Sequence, residues 1–228
     1  MSPRNKAKKW HSVTIPGFNI VRKEWVNNQN GGSIVTAIRS DHLYASLDVP
    51  ALPNIEIIGI TIIDTQTPIN VLNIYKKPDI YTIQETWSLL FYYAADLTGD
   101  TILCGDFNAH DPMWSLNKTS VGEALSGVVS NSRFLSLNEI DTVTIIPREH
   151  SNKGSSDKSF ANAGLAIVCN WNRLNDTHGS DHFPIKISIE NQPRDKITDR
   201  NKINLNISSI GKISNYKLKL RSKLLLRY

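Results

Sequence analysis

Apolar positions along this chain recur in short runs with the alternation of half-buried strands rather than in long helical stretches. Such runs fall at Val13 to Ile15, Ile20 to Arg22, Ser33 to Ile38, Ile55 to Ile63, Ile69 to Tyr75, Asp100 to Cys104, Asp141 to Ile145, Leu165 to Cys169 and Ile185 to Ile189. Helical spacing emerges in two places. From Ile83 to Leu97 it sets Trp87, Leu90, Phe91, Ala94 and Leu97 on one face, and from Gly122 to Leu137 it does the same for Leu125, Val128, Val129 and Leu135. Many strands with few helices predict an α/β fold, a layered sandwich of two packed mixed β-sheets flanked by helices. The stretch Arg148 to Lys158, rich in Ser, Asn and Lys, reads as a flexible loop. Beyond Glu190 the pattern loosens: Asn201 to Ile207 alternates like a β-arm, and Lys217 to Leu224 is basic and amphipathic like a short helix.

Length and composition narrow the picture. The 228 residues fit one domain with an ample core. No stretch approaches the roughly 18 unbroken apolar residues of a membrane span, and the charged start Met1 to Lys9 lacks the apolar segment of a secretory signal. The two cysteines, Cys104 and Cys169, lie in apolar runs and read as buried thiols of a reducing, intracellular compartment. The net charge of +5 is unevenly placed: after position 190 ten Lys or Arg face two Asp, so that tail carries +8 and the rest −3. The chain therefore divides into a basic segment 1–10, a domain 11–190 and a basic tail 191–228, the tail being either a nucleic-acid arm or a merely solvated one.

Two segments carry the candidate chemistry. Asp100 to Gly105 is a β-branched strand that ends in Asp106-Phe107-Asn108-Ala109-His110, delivering a carboxylate and a carboxamide two residues apart onto one face. Such a pair binds a divalent metal or holds a water, and equally serves as turn chemistry. Some seventy residues later, Gly179-Ser180-Asp181-His182-Phe183-Pro184 closes a polar loop and enters the strand Ile185 to Ile189. A second Ser-Asp-His, at Ser40-Asp41-His42, reads as a loop after a strand.

Taken in this order, the segments resemble the endonuclease/exonuclease/phosphatase family, most closely the endonuclease domains of non-LTR retrotransposons. Ile15-Pro16-Gly17-Phe18-Asn19-Ile20-Val21-Arg22, Asn30-Gly31-Gly32-Ser33-Ile34-Val35, Asn73-Ile74-Tyr75 and Gly105 to Trp114 add to the likeness, which spans about His11 to Glu190. The resemblance implies Mg²⁺- or Mn²⁺-dependent phosphodiester hydrolysis on DNA, in the nucleus, with a reverse transcriptase domain in the full-length element. It implies Asp106 as the proton-transfer carboxylate, Asn108 as the group orienting the attacking water, His182 as donor to the phosphate oxygens and Tyr75 as a contact to the scissile phosphate. Asp181 and Asp106 become metal-side carboxylates, and His110 and Trp114 stand where nucleic-acid stacking or plain packing would serve. Asn73 reads as structural.

Three departures from the family pattern predict weakened or absent activity. The chain begins downstream of the family's Asn-bearing first strand and of its Gln-Glu-Thr metal strand. Gln84-Glu85-Thr86-Trp87 imitates the latter, but its helical spacing makes Glu85 a surface carboxylate. Gly164 stands where the family carries the Asp that orients the catalytic His. A non-catalytic nucleic-acid-binding remnant, or a phosphatase or exonuclease of the same fold, are the alternatives.

Overall fold

The computed structural model describes residues 14–23, 34–78, 80–114, 117–146 and 154–190, with the backbone of 203–208 and 223–227. Segment 1–10, most of the tail after 190 and most of the Lys217 to Leu224 stretch lie outside the described residues. In chain order the strands are β1 (Phe18–Lys23), β2 (Ile34–Arg39), β3 (Tyr44–Ser46), β4 (Ile55–Ile62), β5 (Ile69–Lys76), β6 (Asp100–Asp106), β7 (Phe134–Ser136), β8 (Asp157–Asn162), β9 (Cys169–Arg173), β10 (Ile185–Ile189), β11 (Ile203–Ser208) and β12 (Lys223–Arg227). The helices are α1 (Gln84–Asp96), between β5 and β6, α2 (Ser120–Ser130), between β6 and β7, and the one-turn α3 (Ala163–Ala166).

The strands form two six-stranded sheets, ordered β1-β2-β12-β11-β10-β9 and β3-β4-β5-β6-β8-β7. Both are mixed. In the second sheet β5 and β6 run parallel, joined by the α1 crossover, and the remaining pairs are antiparallel. Period-two alternation splits its side chains between two cores. Ile58, Ile60, Val71, Ile102, Cys104 and Ala161 point toward the first sheet and meet Ile34, Ile38, Ile185 and Ile187 there. Leu72, Ile74, Leu103 and Phe160 point the other way, onto Trp87, Leu90 and Phe91 of α1 and Leu125 and Val128 of α2. A layered sandwich results, as the apolar pattern predicts.

The strand and helix expectations fail where polar residues are buried or apolar ones are not. Ser155 to Lys158, expected in a flexible loop, are buried, and Asp157 opens β8. The stretch Leu165 to Cys169 is not a strand: Leu165 packs from α3, Ile167 is 83% exposed, and β9 starts only at Cys169. Asp141 to Ile145 runs irregularly with a single bridge from Ile145 to His182. The second helix stops at Ser130, where Ser132 Oγ and Asn131 Nδ2 donate to its last-turn carbonyls, and Phe134–Ser136 leaves as a strand.

One glycine sets the geometry of the site. Gly105 holds φ +137°, and a Cβ there would meet the Ile74 carbonyl oxygen at 2.0 Å. Only glycine lets β6 press this closely on β5 one residue before Asp106.

The aromatic cluster beneath the site is a direct test of this packing. Phe160 is fully buried and meets the rings of Phe91, Phe107 and Trp114 edge-on at 5.4 to 5.8 Å. Phe160→Ala is expected to lower the unfolding free energy by about 3–5 kcal/mol in urea denaturation. A loss below about 1 kcal/mol would show that the second core is packed otherwise.

Candidate active site

The C-terminal end of β6 places Asp106 on the face turned toward the other sheet, in step with Ile102 and Cys104. Strand register then lines up its neighbours. Asp106 is the Cα partner of Tyr75 on β5 and of Asp157 on β8, and Tyr75 is the partner of Glu56 on β4. Four chemistry-bearing residues thus share one row across one end of the sheet, about 4.8 Å apart from strand to strand.

His182 closes the row from above. Its Nδ1 lies 2.8 Å from Asp157 Oδ2, and both residues are buried. The brace behind them is Thr144, fully buried, whose hydroxyl accepts from the Asp157 backbone N–H and whose carbonyl accepts from the Phe183 N–H. Asn138 fixes β8 on its other edge: its side chain donates to the Asp157 carbonyl and accepts from the Ser159 N–H. Asn108 adopts a left-handed φ of 44°, which Asn tolerates. That turn lets its backbone N–H donate to Asp106 Oδ1 at 3.1 Å and its side chain donate to the Lys76 carbonyl at 2.8 Å.

The electrostatics follow from burial and like charge. Burial and the facing Asp157 push the Asp106 carboxyl up to about 6, against the pull of His182. Burial alone would lower the His182 imidazole, but the charge and hydrogen bond of Asp157, with Asp106 and Asp181 behind, outweigh it and raise it to about 9. At neutral pH His182 is therefore a cation and Asp106 an anion. Glu56, also buried, is pushed up to about 7 by burial despite the charges of Lys23 and Lys77.

The structure brings Asp106, Asn108, Tyr75 and His182 to this one end, with the half-buried Asp181 next in chain to His182 and acting on its charge. It adds a residue absent from the sequence reading, Asp157. This corrects the expectation at Gly164: that glycine sits in α3, and the acceptor that orients His182 is Asp157. The decoys fall elsewhere. Glu85 is exposed in the first turn of α1. His42 pairs with Asp64 at 3.0 Å and Asp41 with Arg39, beyond the opposite end of β5 from Tyr75. Asn73 reaches across the sandwich to Val35 O and Thr36 Oγ1, a structural bridge. Trp114 is core: fully buried, it donates Nε1–H to the Ala109 carbonyl and carries the Lys158 ammonium 5.5 Å from its ring. His110 is wedged beside Lys158 and Gly154, its imidazole pushed down to about 4 by burial.

Ions of the Mg²⁺ class take oxygen ligands, and Asp106, Asp181 and the unpartnered Glu56 Oε2 are of that kind. The donor chemistry fits, although among the described residues no group of three or more His, Cys, Asp or Glu is close enough to hold a metal by itself.

Comparison with known proteins agrees with this fold. The family model described as endonuclease-reverse transcriptase matches residues 69–186, from the start of β5 into β10. Among solved structures, the endonuclease domain of TRAS1, a telomere-specific non-LTR retrotransposon, superposes with a TM-score of 0.64 at 20% identity, covering 78% of this chain and 83% of that one. An AP endonuclease from Archaeoglobus fulgidus gives 0.55 at 17% identity, covering 77% of this chain and 80% of that one. The 3' phosphatase NExo from Neisseria, bound to product DNA hairpin, gives 0.55 at 14%, covering 76% and 80%. No curated protein matches in sequence. Among the described residues no helix is long and apolar enough to cross a membrane.

Because Asp157 raises the folded-state value of His182 above the 6.5 of a free imidazole, this pair stabilises the fold fully below about 6.5 and ceases to as pH rises through about 9. Asp157→Asn is expected to bring the His182 titration, followed by NMR of its ring proton, down to 6.5 or lower, and to remove that alkaline loss of stability. An unchanged midpoint would dissociate the two residues.

Proposed function

The chain belongs to the endonuclease-reverse transcriptase family, of the endonuclease/exonuclease/phosphatase fold, and on that premise we propose that it is a divalent-cation-dependent DNA endonuclease of the non-LTR retrotransposon kind, slow in its action. The observation that carries this reading is the buried His182–Asp157 pair at 2.8 Å, set beside an Asp106 that is Asp157's own strand partner. An anion and an imidazolium at one edge of a sandwich are what in-line attack on a phosphodiester needs.

Each group has a role that its surroundings support. Asp106, ionised at neutral pH yet only about a unit below it, accepts the proton of the attacking water. Asn108, clamped by Lys76 and by its own turn, orients that water. His182 donates to the phosphate oxygens as negative charge builds on them, and Asp157 fixes its tautomer and stabilises its positive form. Tyr75, one strand from Asp106, contacts the scissile phosphate. Asp106 and Asp181 would hold Mg²⁺ or Mn²⁺, which when bound acts as a Lewis acid on the phosphoryl oxygens. Asp157 is committed to His182, so few carboxylates serve the cation, and cleavage is slow for that reason. The substrate is DNA, a reverse transcriptase domain accompanies the endonuclease in the full element, and the place of action is the nucleus.

Supercoiled plasmid incubated with Mg²⁺ is expected to be nicked slowly. His182→Ala should lower the rate about a hundredfold or more, and Asp157→Asn by about ten- to a hundredfold, while salt-sensitive DNA binding persists in both because phosphate contacts by Lys and Arg are separate from the site. DNA that shifts in a gel but is never nicked would mark a binding module instead. Nicking that survives His182→Ala would place the chemistry elsewhere.

A further inference from the structure

The row that holds Tyr75, Asp106 and Asp157 has a fourth member which the proposed chemistry leaves unused. Glu56 is the strand partner of Tyr75, and it alternates with Ile58, Ile60 and Ile62, all of which pack in the core between the sheets. Its side chain therefore stands on the same face as Asp106. It is 8% exposed, and its Oε2 has no hydrogen-bond donor among the described residues. The lysine nearest in charge, Lys23, spends its Nζ on the Ile57 carbonyl at 3.4 Å. Lys77, one residue beyond the end of β5, is the other cation acting on it.

A buried carboxylate oxygen without a donor is a poor structural choice, because burial removes the water that would have satisfied it. Glutamine or an apolar residue would fit β4 at less cost, so the orphaned acceptor points to a ligand. That ligand has to be positive and has to reach the same row as Asp106. We propose that Glu56 supplies a carboxylate oxygen to the divalent-cation site, across Tyr75 from Asp106. The proposal rests on the cation-dependent reading of the same site and names a ligand which that reading lacks. Two strand spacings separate the Glu56 and Asp106 backbones by about 10 Å, a gap that both side chains and an ion retaining several waters together span. Mg²⁺ is bound in just such a manner, through one or two carboxylates and its own waters. The position also explains why three acidic groups crowd one end of the sheet: His182 answers for Asp157, and the cation answers for Glu56 and Asp106.

The test uses the full chain and the metal alone. Mn²⁺ is titrated against the protein with the free-ion electron paramagnetic resonance signal as readout, and Mg²⁺ is titrated with the shift in Tm as a second readout. The wild type is expected to bind Mn²⁺ and to gain Tm with Mg²⁺. Glu56→Gln, close to isosteric, should weaken Mn²⁺ by about tenfold or more and abolish the Mg²⁺ shift, with an unaltered circular dichroism spectrum. Glu85→Gln, on the exposed face of α1, should bind as the wild type does. Equal Mn²⁺ affinity in wild type and Glu56→Gln overturns the proposal, as does a wild type that binds no divalent ion. The two readings fail separately. Glu56-dependent Mn²⁺ binding without any plasmid nicking leaves this site standing and removes the nuclease reading; nicking with Mn²⁺ affinity indifferent to Glu56→Gln does the reverse.

Discussion

Two carboxylates directly opposite each other on adjacent antiparallel strands repel, and in a buried row they repel through a poorly screening medium. Asp106 and Asp157 are such a pair, and the sheet tolerates them because the His182 imidazolium stands against Asp157 at 2.8 Å. Much else in this half of the molecule serves that contact. Thr144 ties the backbones of β8 and of the His182 loop, Asn138 grips the edge of β8, and Gly105 permits the approach that brings β6 into register with β5. Removing the cation from this arrangement would leave two buried anions facing each other, so the pair is a structural demand as well as a chemical one.

The sandwich supplies what that contact needs, a packed floor on the helix-facing side of the sheet. Beneath the row, the helix-facing core of Phe107, Phe160, Trp114 and Trp87 is built from rings meeting at 5.4 to 5.8 Å. Lys158 is buried within it on the reverse face of β8, donating to the Ser155 carbonyl and lying over Trp114, its ammonium pushed down to about 7 by burial. This lysine joins the loop after β6, which carries Asn108, to the strand that carries Asp157. A site whose members come from β5, β6, β8 and the loop before β10 keeps its geometry only if those elements share one core, and here they do.

Much of this was legible from the order of residues alone. The runs Ile69 to Tyr75 and Asp100 to Cys104 alternate cleanly because one face meets a sheet and the other meets helices, and both are strands. The helix at Gln84–Asp96 shows its buried stripe in Trp87, Leu90, Phe91 and Ala94, which is why Glu85 could be set aside as a surface residue despite its suggestive neighbours. Asp157 was not legible, for a physical reason. The run Ser155-Ser156-Asp157-Lys158-Ser159 around the start of its strand is polar and looks like loop, because nothing local reveals that Thr144, Asn138 and His182 partner Asp157 in the interior. Ile167 erred in the opposite direction, an apolar residue left at the surface after a single helical turn, while its neighbour Val168 packs partly against the core. Glu56 was hidden in an apolar strand where one carboxylate among isoleucines draws no notice until register shows what lies beside it.

The central claim is that Asp157 and His182 act as one unit on the reaction at Asp106. A double-mutant cycle on single-turnover cleavage of a DNA duplex tests it most directly. If the pair is a unit, the double variant Asp157→Asn with His182→Ala cleaves no more slowly than His182→Ala alone, since Asp157 has nothing left to orient. Rate losses that simply multiply, or a Asp157→Asn loss that persists in full once His182 is gone, would contradict the account.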